Sequence, residues 1–206
     1  MTNSVHSATG SLWDFDIYQP QQSQDSQLLN LLGFVPGLKE LLMLRQVHAL
    51  EHGTVWVLSE NQQGYPQDND TLGGLSTANG FYIYGQVNQF DLQKAVRQAL
   101  QRFKAGEWNL AVHPRCGTNT SVNLLLTASF AVGAHLILPR GPLEQLLGLV
   151  LATSTASQLS PELGLSAQKY LTTAIPFNLE LTQIAKTQDF WGHPAHFVEL
   201  EWRDSQ

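Results

Sequence analysis

The chain has 206 residues, enough for one ordinary core or for a small domain with a membrane segment. Charged residues make up only 14%, against about a quarter in soluble domains, and the formal net charge is −6, so no nucleic-acid partner is expected. The single cysteine excludes an intrachain disulfide, and no basic n-region followed by an apolar run opens the chain, so an extracellular destination is not expected.

Residues 1–27 are polar and Gln/Ser-rich, with Trp13, Phe15 and Tyr18 scattered through them; the pattern predicts a flexible arm. A short apolar run, Leu28 to Phe34, ends at Pro36-Gly37. From there to about Glu60 the pattern is helical. Steps of about 100° per residue place Leu41, Leu44, Val55 and Trp56 on one face, with His48, Glu51 and His52 in the middle of it. Polar groups inside an apolar stripe need partners, because burying one unpaired costs about 1–3 kcal/mol. His48-Ala49-Leu50-Glu51-His52 reads H-x-x-E-H. On a helix the two imidazoles stand one turn apart, within reach of one ion. The order matches the inverted zincin signature, in which the histidines hold zinc and the glutamate activates water.

Residues 61–79 read as a loop, and Gly80 to Val87 alternates like a half-buried strand. Asp91 to Lys104 is an amphipathic helix with Leu92, Ala95, Val96, Ala99, Leu100 and Phe103 at helical spacing, ended by Ala105-Gly106. Asn109 to His113 reads as a second short strand that delivers His113 and Cys116 at its end, where Pro114 breaks the ladder. Thr118 or Asn119 is expected to cap the next helix.

No charge occurs between Arg115 and Arg140. The apolar stretch through Leu138 is long enough for a bilayer core of about 30 Å. Pro139-Arg140-Gly141-Pro142 connects it to Leu143–Leu159, giving an α-hairpin, with Pro161 opening a new section. A transmembrane hairpin is the preferred reading; a pair of buried core helices is the alternative, kept open by Asn123, His135 and the Ser/Thr content. His135 is expected to hydrogen-bond across the hairpin, with heme or pigment ligation as a lesser option. Leu165 to Thr173 suggests one more short helix. His193 and His196 read as solvated, and Phe197 to Trp202 alternates as a strand that could join residues 81–87. If the hairpin spans, Arg97, Arg102, Lys104, Arg115 and Lys169 stand against one Arg140 in the turn, which places the globular part in the cytoplasm.

The whole is α+β. The expected organisation is a flexible arm (1–27), an α+β metal-site region (28–118), a hydrophobic helical hairpin (119–160), and a C-terminal helix and strand packing on the α+β region (161–206).

The candidate site is His48, His52, His113 and Cys116 as zinc ligands, with Glu51 as general base. Imidazole and thiolate suit Zn²⁺ at about 2.0–2.1 and 2.3 Å. Three protein ligands and an open position would be catalytic, whereas all four together would be closed and structural. Glu107 is the acidic residue of the central section that could serve as the third ligand of an inverted zincin. The competing reading leaves the histidines satisfied by backbone or carboxylate partners and Cys116 as a small buried hydrophobe.

His48-Ala49-Leu50-Glu51-His52, Gly74-Leu75-Ser76, Gly80-Phe81, Glu107, Leu110 to Pro114 and Cys116-Gly117-Thr118-Asn119 together resemble an uncharacterised bacterial membrane family common in photosynthetic bacteria. Its pattern runs H-A-L-E-H, G-x-S, G-F, G-E, L-A-x-H-P-x-C-G-T-N, then hydrophobic helices. The resemblance covers roughly residues 45–200. A second membrane family of unknown function, with H-G-A-E-H and H-P-R-C-G-T in the same order, is similar more distantly. The resemblance implies a membrane hairpin and a shared His/Glu/Cys site, but no activity. Two functions are therefore expected to compete. One is a zinc-dependent, membrane-associated, peptidase-like hydrolase acting on membrane-protein segments or lipids. The other is a non-catalytic membrane accessory or assembly protein stapled by a structural His/Cys site.

Overall fold

The computed structural model describes residues 24–63 and 72–203. It is α+β. Helix α1 (Gln24–Leu32) leads into the long α2 (Leu38–Gln63), followed by strands β1 (Gly73–Thr77) and β2 (Gly80–Tyr84) and helix α3 (Gln89–Lys104). A 3₁₀ turn (Trp108–Ala111) precedes helices α4 (Gly117–Ile137) and α5 (Pro142–Ala167). A π-helical turn (Gln168–Thr172) and strands β3 (Leu179–Gln188) and β4 (Pro194–Trp202) complete the chain. The antiparallel sheet runs β1-β2-β4-β3, and β4 pairs with β2 through Phe81↔Val198 and Ile83↔His196, as the alternation of both segments suggested.

The core lies between the sheet, α2 and α3. Phe81, Ile83 and Val198 meet Val47, Leu50 and Val57 of α2 and Leu92, Val96 and Phe103 of α3. Asn88 caps α3 by accepting from the Asp91 amide at 2.8 Å. Gly53 is required where α2 crosses α3, because a Cβ there would overlap the Phe103 ring. From Gln46 to Ser59 α2 is buried on nearly every side, so its core contacts are not confined to one stripe. Leu41, Leu44 and Val55, the stripe read from periodicity, line a cavity with the motif residues.

Several expectations are corrected. Residues 24–27 begin α1 rather than extending a flexible arm, because Asp25 and Ser26 tie it to Gln46 and Asn178; residues 1–23 lie outside the described residues. The 61–79 segment is not wholly loop, since residues 73–77 form β1. Asn109–His113 is not a strand. The carbonyls of Ala111 and Val112, which a ladder would need, accept from the His52 and Trp56 side chains, leaving a 3₁₀ turn. Cys116 rather than Thr118 or Asn119 caps α4, its sulfur accepting from the Thr118 amide. β3 went unread because its exposed face carries a mixed polar pattern.

Pro161 does not end α5. An internal proline disfavours a helix by about 3 kcal/mol, so packing has to override it. Gly148, Ala152, Ala156, Ser160 and Gly164, each one turn apart, form a buried seam against α4. Helices approach closely along such small residues. A Cβ at Gly164 would overlap Asn119, and one at Gly148 would overlap Leu138. Asn123 donates to Ser160 at 2.9 Å, and His135 meets Gln145 across the hairpin at 2.8 Å. The outer surface of the hairpin carries exposed Leu124, Leu125, Leu136, Ile137, Leu147 and Leu151. Among the described residues, α4 alone is long and apolar enough to cross a membrane, by length and composition.

In the sheet, Asp189 braces the β3–β4 turn. It accepts from the Trp191 and His193 amides and from the Tyr84 hydroxyl at 2.9 Å. Burial pushes the Asp189 carboxyl up, but the His193 and Trp191 amides, the Tyr84 hydroxyl and the His193 ring outweigh it and hold it down at about 2. Burial and this carboxylate push the Tyr84 phenol up to about 12. A lowered carboxylate contributes stability that is present above its unfolded value and lost as pH falls toward the folded one. The denaturant midpoint of the native chain should therefore exceed that of Asp189→Asn at neutral pH. Their difference should shrink between about pH 4 and about pH 2.

Candidate metal centre

The site is assembled from three places in the chain. α2 contributes His48, Glu51 and His52 from successive turns of one face. The 3₁₀ turn and the bend after it contribute His113 and Cys116. The π-helical turn after α5 supplies the carbonyl that orients His48.

His48 Nδ1 lies 3.1 Å from the Thr172 carbonyl oxygen, and His52 Nδ1 lies 2.7 Å from that of Ala111. A carbonyl only accepts, so each ring carries a proton on Nδ1, and whenever the ring is neutral its lone pair stands on Nε2. His48 Nε2 is 3.2 Å from Cys116 Sγ. One ligand atom each from His48, His52 and Cys116 falls within 4.8 Å of the others, and the three could hold a metal ion. Metal-binding histidines ordinarily donate their second nitrogen to a carbonyl or carboxylate in this way.

His113 is buried beside this group but is not part of it. Its ring packs on His52 and Trp56, with centroids 5.7 and 4.8 Å away, and its Nδ1 accepts from the Arg115 amide at 3.3 Å. Three ligands gather rather than four. Glu107 lies elsewhere, at the surface, paired with Arg102 at 2.7 Å. His193 is largely exposed, whereas His196, expected in solvent, is buried in β4. Burial lowers its pKa, with a smaller push from Lys186; in the sheet it pairs with the core residue Ile83.

Glu51 is buried under β1 and accepts from the Ser76 hydroxyl at 2.5 Å. Burial pushes its carboxyl pKa up; the Ser76 hydrogen bond and the charge of His48 pull the other way without overcoming it. A raised pKa makes the Glu51 carboxylate a stronger base than an exposed one. A Cβ at Gly74 would run into the Glu51 carboxyl, so a side chain there would displace that carboxyl from its present position. Burial likewise pushes the Cys116 thiol up. Hydrogen bonding and charge from His52, with the Thr118 amide, outweigh it and set the thiol below its ordinary value. That favours the thiolate a metal requires.

The corner bearing His113 and Cys116 is fixed by Gln168, which periodicity did not single out. Fully buried, it accepts from the His113 amide at 2.9 Å and donates to Asn119 at 2.7 Å, while Asn119 donates to the Pro114 carbonyl at 2.7 Å. π-Turns recur at functional sites, but nothing in the local sequence marks this one. Ser76, inside the segment read as a loop, was visible only as part of the G-x-S element of the resemblance.

A cavity of about 950 Å³ lies over the group. His48, Glu51, His52, Ser76 and Cys116 line it together with Leu41, Leu44, Leu75, Tyr170 and Leu171. Polar, potentially reactive groups thus share one concave surface with exposed apolar side chains, as in ligand sites.

Fold and site together define an α+β protein with a metal-capable His/His/Cys group beside a buried carboxylate. The chain belongs to the family described as Domain of unknown function (DUF6391), whose model matches residues 43–184. That span holds every residue of the group. An uncharacterized protein of Picosynechococcus sp. (strain ATCC 27264 / PCC 7002 / PR-6) is 54% identical over 198 residues, covering 94% of this chain and 97% of that one. No solved structure matches the chain.

Proposed function

We propose that this protein is a zinc-dependent, membrane-associated hydrolase. The observation that carries the proposal is the trio of His48, His52 and Cys116, with both Nδ1 atoms held on backbone carbonyls. Two imidazoles and a thiolate favour zinc over harder cations, and three ligands leave a position open. Zinc bound there would supply Lewis acidity toward a substrate carbonyl or phosphoryl oxygen. Glu51 takes the proton of the attacking water and returns it to the leaving group. Ser76 fixes the direction of that carboxylate.

The α4–α5 hairpin holds the site at a bilayer. α4, 21 residues long, rises about 31 Å at 1.5 Å per residue, matching a hydrocarbon core. Exposed Tyr170 and Leu171 at its base continue the apolar surface into the cavity. With both helices of the hairpin crossing, the bias of Arg97, Arg102, Lys104, Arg115 and Lys169 over Arg140 supports a cytoplasmic side for the globular part.

Glu51→Gln should lower hydrolysis by about 10²–10⁴-fold while zinc content stays at the native level. Metal analysis beside turnover of ester and peptide probes checks it. If turnover is unchanged in Glu51→Gln, the carboxylate is not the base. The 3.2 Å contact between Cys116 and His48 favours a second reading, in which a Cys116 thiolate attacks and His48 is its base. Zinc-free protein that remains active, and is inactivated by alkylation at Cys116, would select it. A chain that keeps its metal but turns over neither probe would favour the accessory role.

A further inference from the structure

We infer that the substrate of this site is an extended peptide segment, bound as an added strand along the free edge of β1. The inference rests on the hydrolase reading and names its substrate class.

β1 is first in the sheet order, and among the described residues only β2 pairs with it. Gly73, Gly74, Leu75 and Ser76 all line the cavity. Successive side chains of a strand point to opposite faces. Four consecutive residues can share one wall only where the edge of the strand forms it. The register fixes which backbone groups face that wall. Thr77 and Gly80 flank a two-residue turn and pair with each other, followed by Leu75↔Tyr82 and Gly73↔Tyr84. In an antiparallel hairpin these alternate residues spend their amides and carbonyls on the partner strand. The backbone groups of Gly74 and Ser76 therefore face outward.

These two residues are also the ones that touch the proposed base. Ser76 donates to Glu51, and the missing side chain of Gly74 makes room for its carboxyl. A strand hydrogen-bonded to Gly74 and Ser76 is thus presented to Glu51 and to the metal group at once. Main-chain pairing supplies affinity in such complexes, and alternate side chains supply selectivity. Leu41, Leu44, Tyr170 and Leu171 are exposed around the cavity and suit apolar substrate side chains. An acyl chain could lie on those leucines but would make no use of the outward amides and carbonyls. Water adds to the peptide carbonyl carbon and the C–N bond breaks. The proton held by Glu51 passes to the departing amine nitrogen, leaving a carboxylate and an amine.

The test uses the full zinc-loaded chain in detergent and a fluorescein-labelled peptide of alternating Leu and Ala, read by fluorescence anisotropy so that no turnover is needed. Two further peptides carry N-methyl groups on one or the other alternate set of residues. Methylation of one set should weaken binding by about tenfold or more, since it removes at least one strand hydrogen bond and blocks close approach; the other set should bind like the parent. Equal binding of both methylated peptides, or no binding of any, would overturn the inference. So would cleavage of a quenched acyl chain in phosphatidylcholine vesicles in place of the peptide, although the hydrolase reading would then survive. Register-dependent binding by a chain without zinc or turnover would keep the strand site and discard the hydrolase.

Discussion

His52→Ala should empty the metal site. In the native chain His52 contributes one of three ligand atoms, and its ring is fixed by the 2.7 Å bond to Ala111. Two remaining ligands, His48 and Cys116, cannot close the coordination that zinc takes in proteins. Affinity should fall by more than about 100-fold, beyond the losses seen when only an orienting partner is removed. Native stability should change with it. A ligand present at about 100 times its Kd stabilises the folded state by about 2.7 kcal/mol. The rise in Tm on adding zinc should therefore be present in the native chain and absent in His52→Ala. His113→Ala is the informative companion, because His113 packs against the group without joining it. It should retain stoichiometric zinc. Loss of zinc on replacing His113 would instead mean a closed four-ligand site and would sink the open-position argument.

Gln168→Met should be among the most destabilising single changes in the chain. The substitution nearly conserves volume, so it isolates the polar loss from cavity formation. The His113 amide and the Asn119 carbonyl oxygen would lose their bonds to the side chain inside the protein. A fully buried orphan such as the His113 amide costs about 1–3 kcal/mol and the half-buried Asn119 oxygen less, a combined loss of about 2–5 kcal/mol. At about 2–4 °C per kcal/mol for a chain of this size, thermal unfolding should shift down by roughly 5–20 °C. Zinc affinity should weaken as well, because Asn119 relays the same network to Pro114, two residues before Cys116. A Tm within a degree or two of native would show that the corner is held by other means.

The linear chain went far on its own where a property is local. The α3 face, from Leu92 to Phe103, is the buried face of that helix. The pairing of residues 81–83 with 196–198 follows from period-two alternation. Spacing alone put His48 and His52 on one side of a turn, and the charge-free interval after Arg115 gave the hairpin. What failed depended on partners distant in sequence. Ala111 and Val112 read as strand until their carbonyls were claimed by His52 and Trp56, more than fifty residues earlier. Pro161 read as a helix end because its local penalty is visible, whereas the seam from Gly148 to Gly164 that outweighs it acts only against α4.

The same division runs through the site. The sequence by itself determined the residue types, His, Glu and Cys at metal-compatible spacing, because ligand chemistry and helical periodicity are properties of the chain. Only the tertiary structure decided that His48, His52 and Cys116 converge while His113 stands aside. It also placed Gln168 and Thr172 behind them and put the edge of β1 over Glu51. Those choices are set by which buried donors and acceptors find each other across the fold. Such pairing is an outcome of packing that no local window contains.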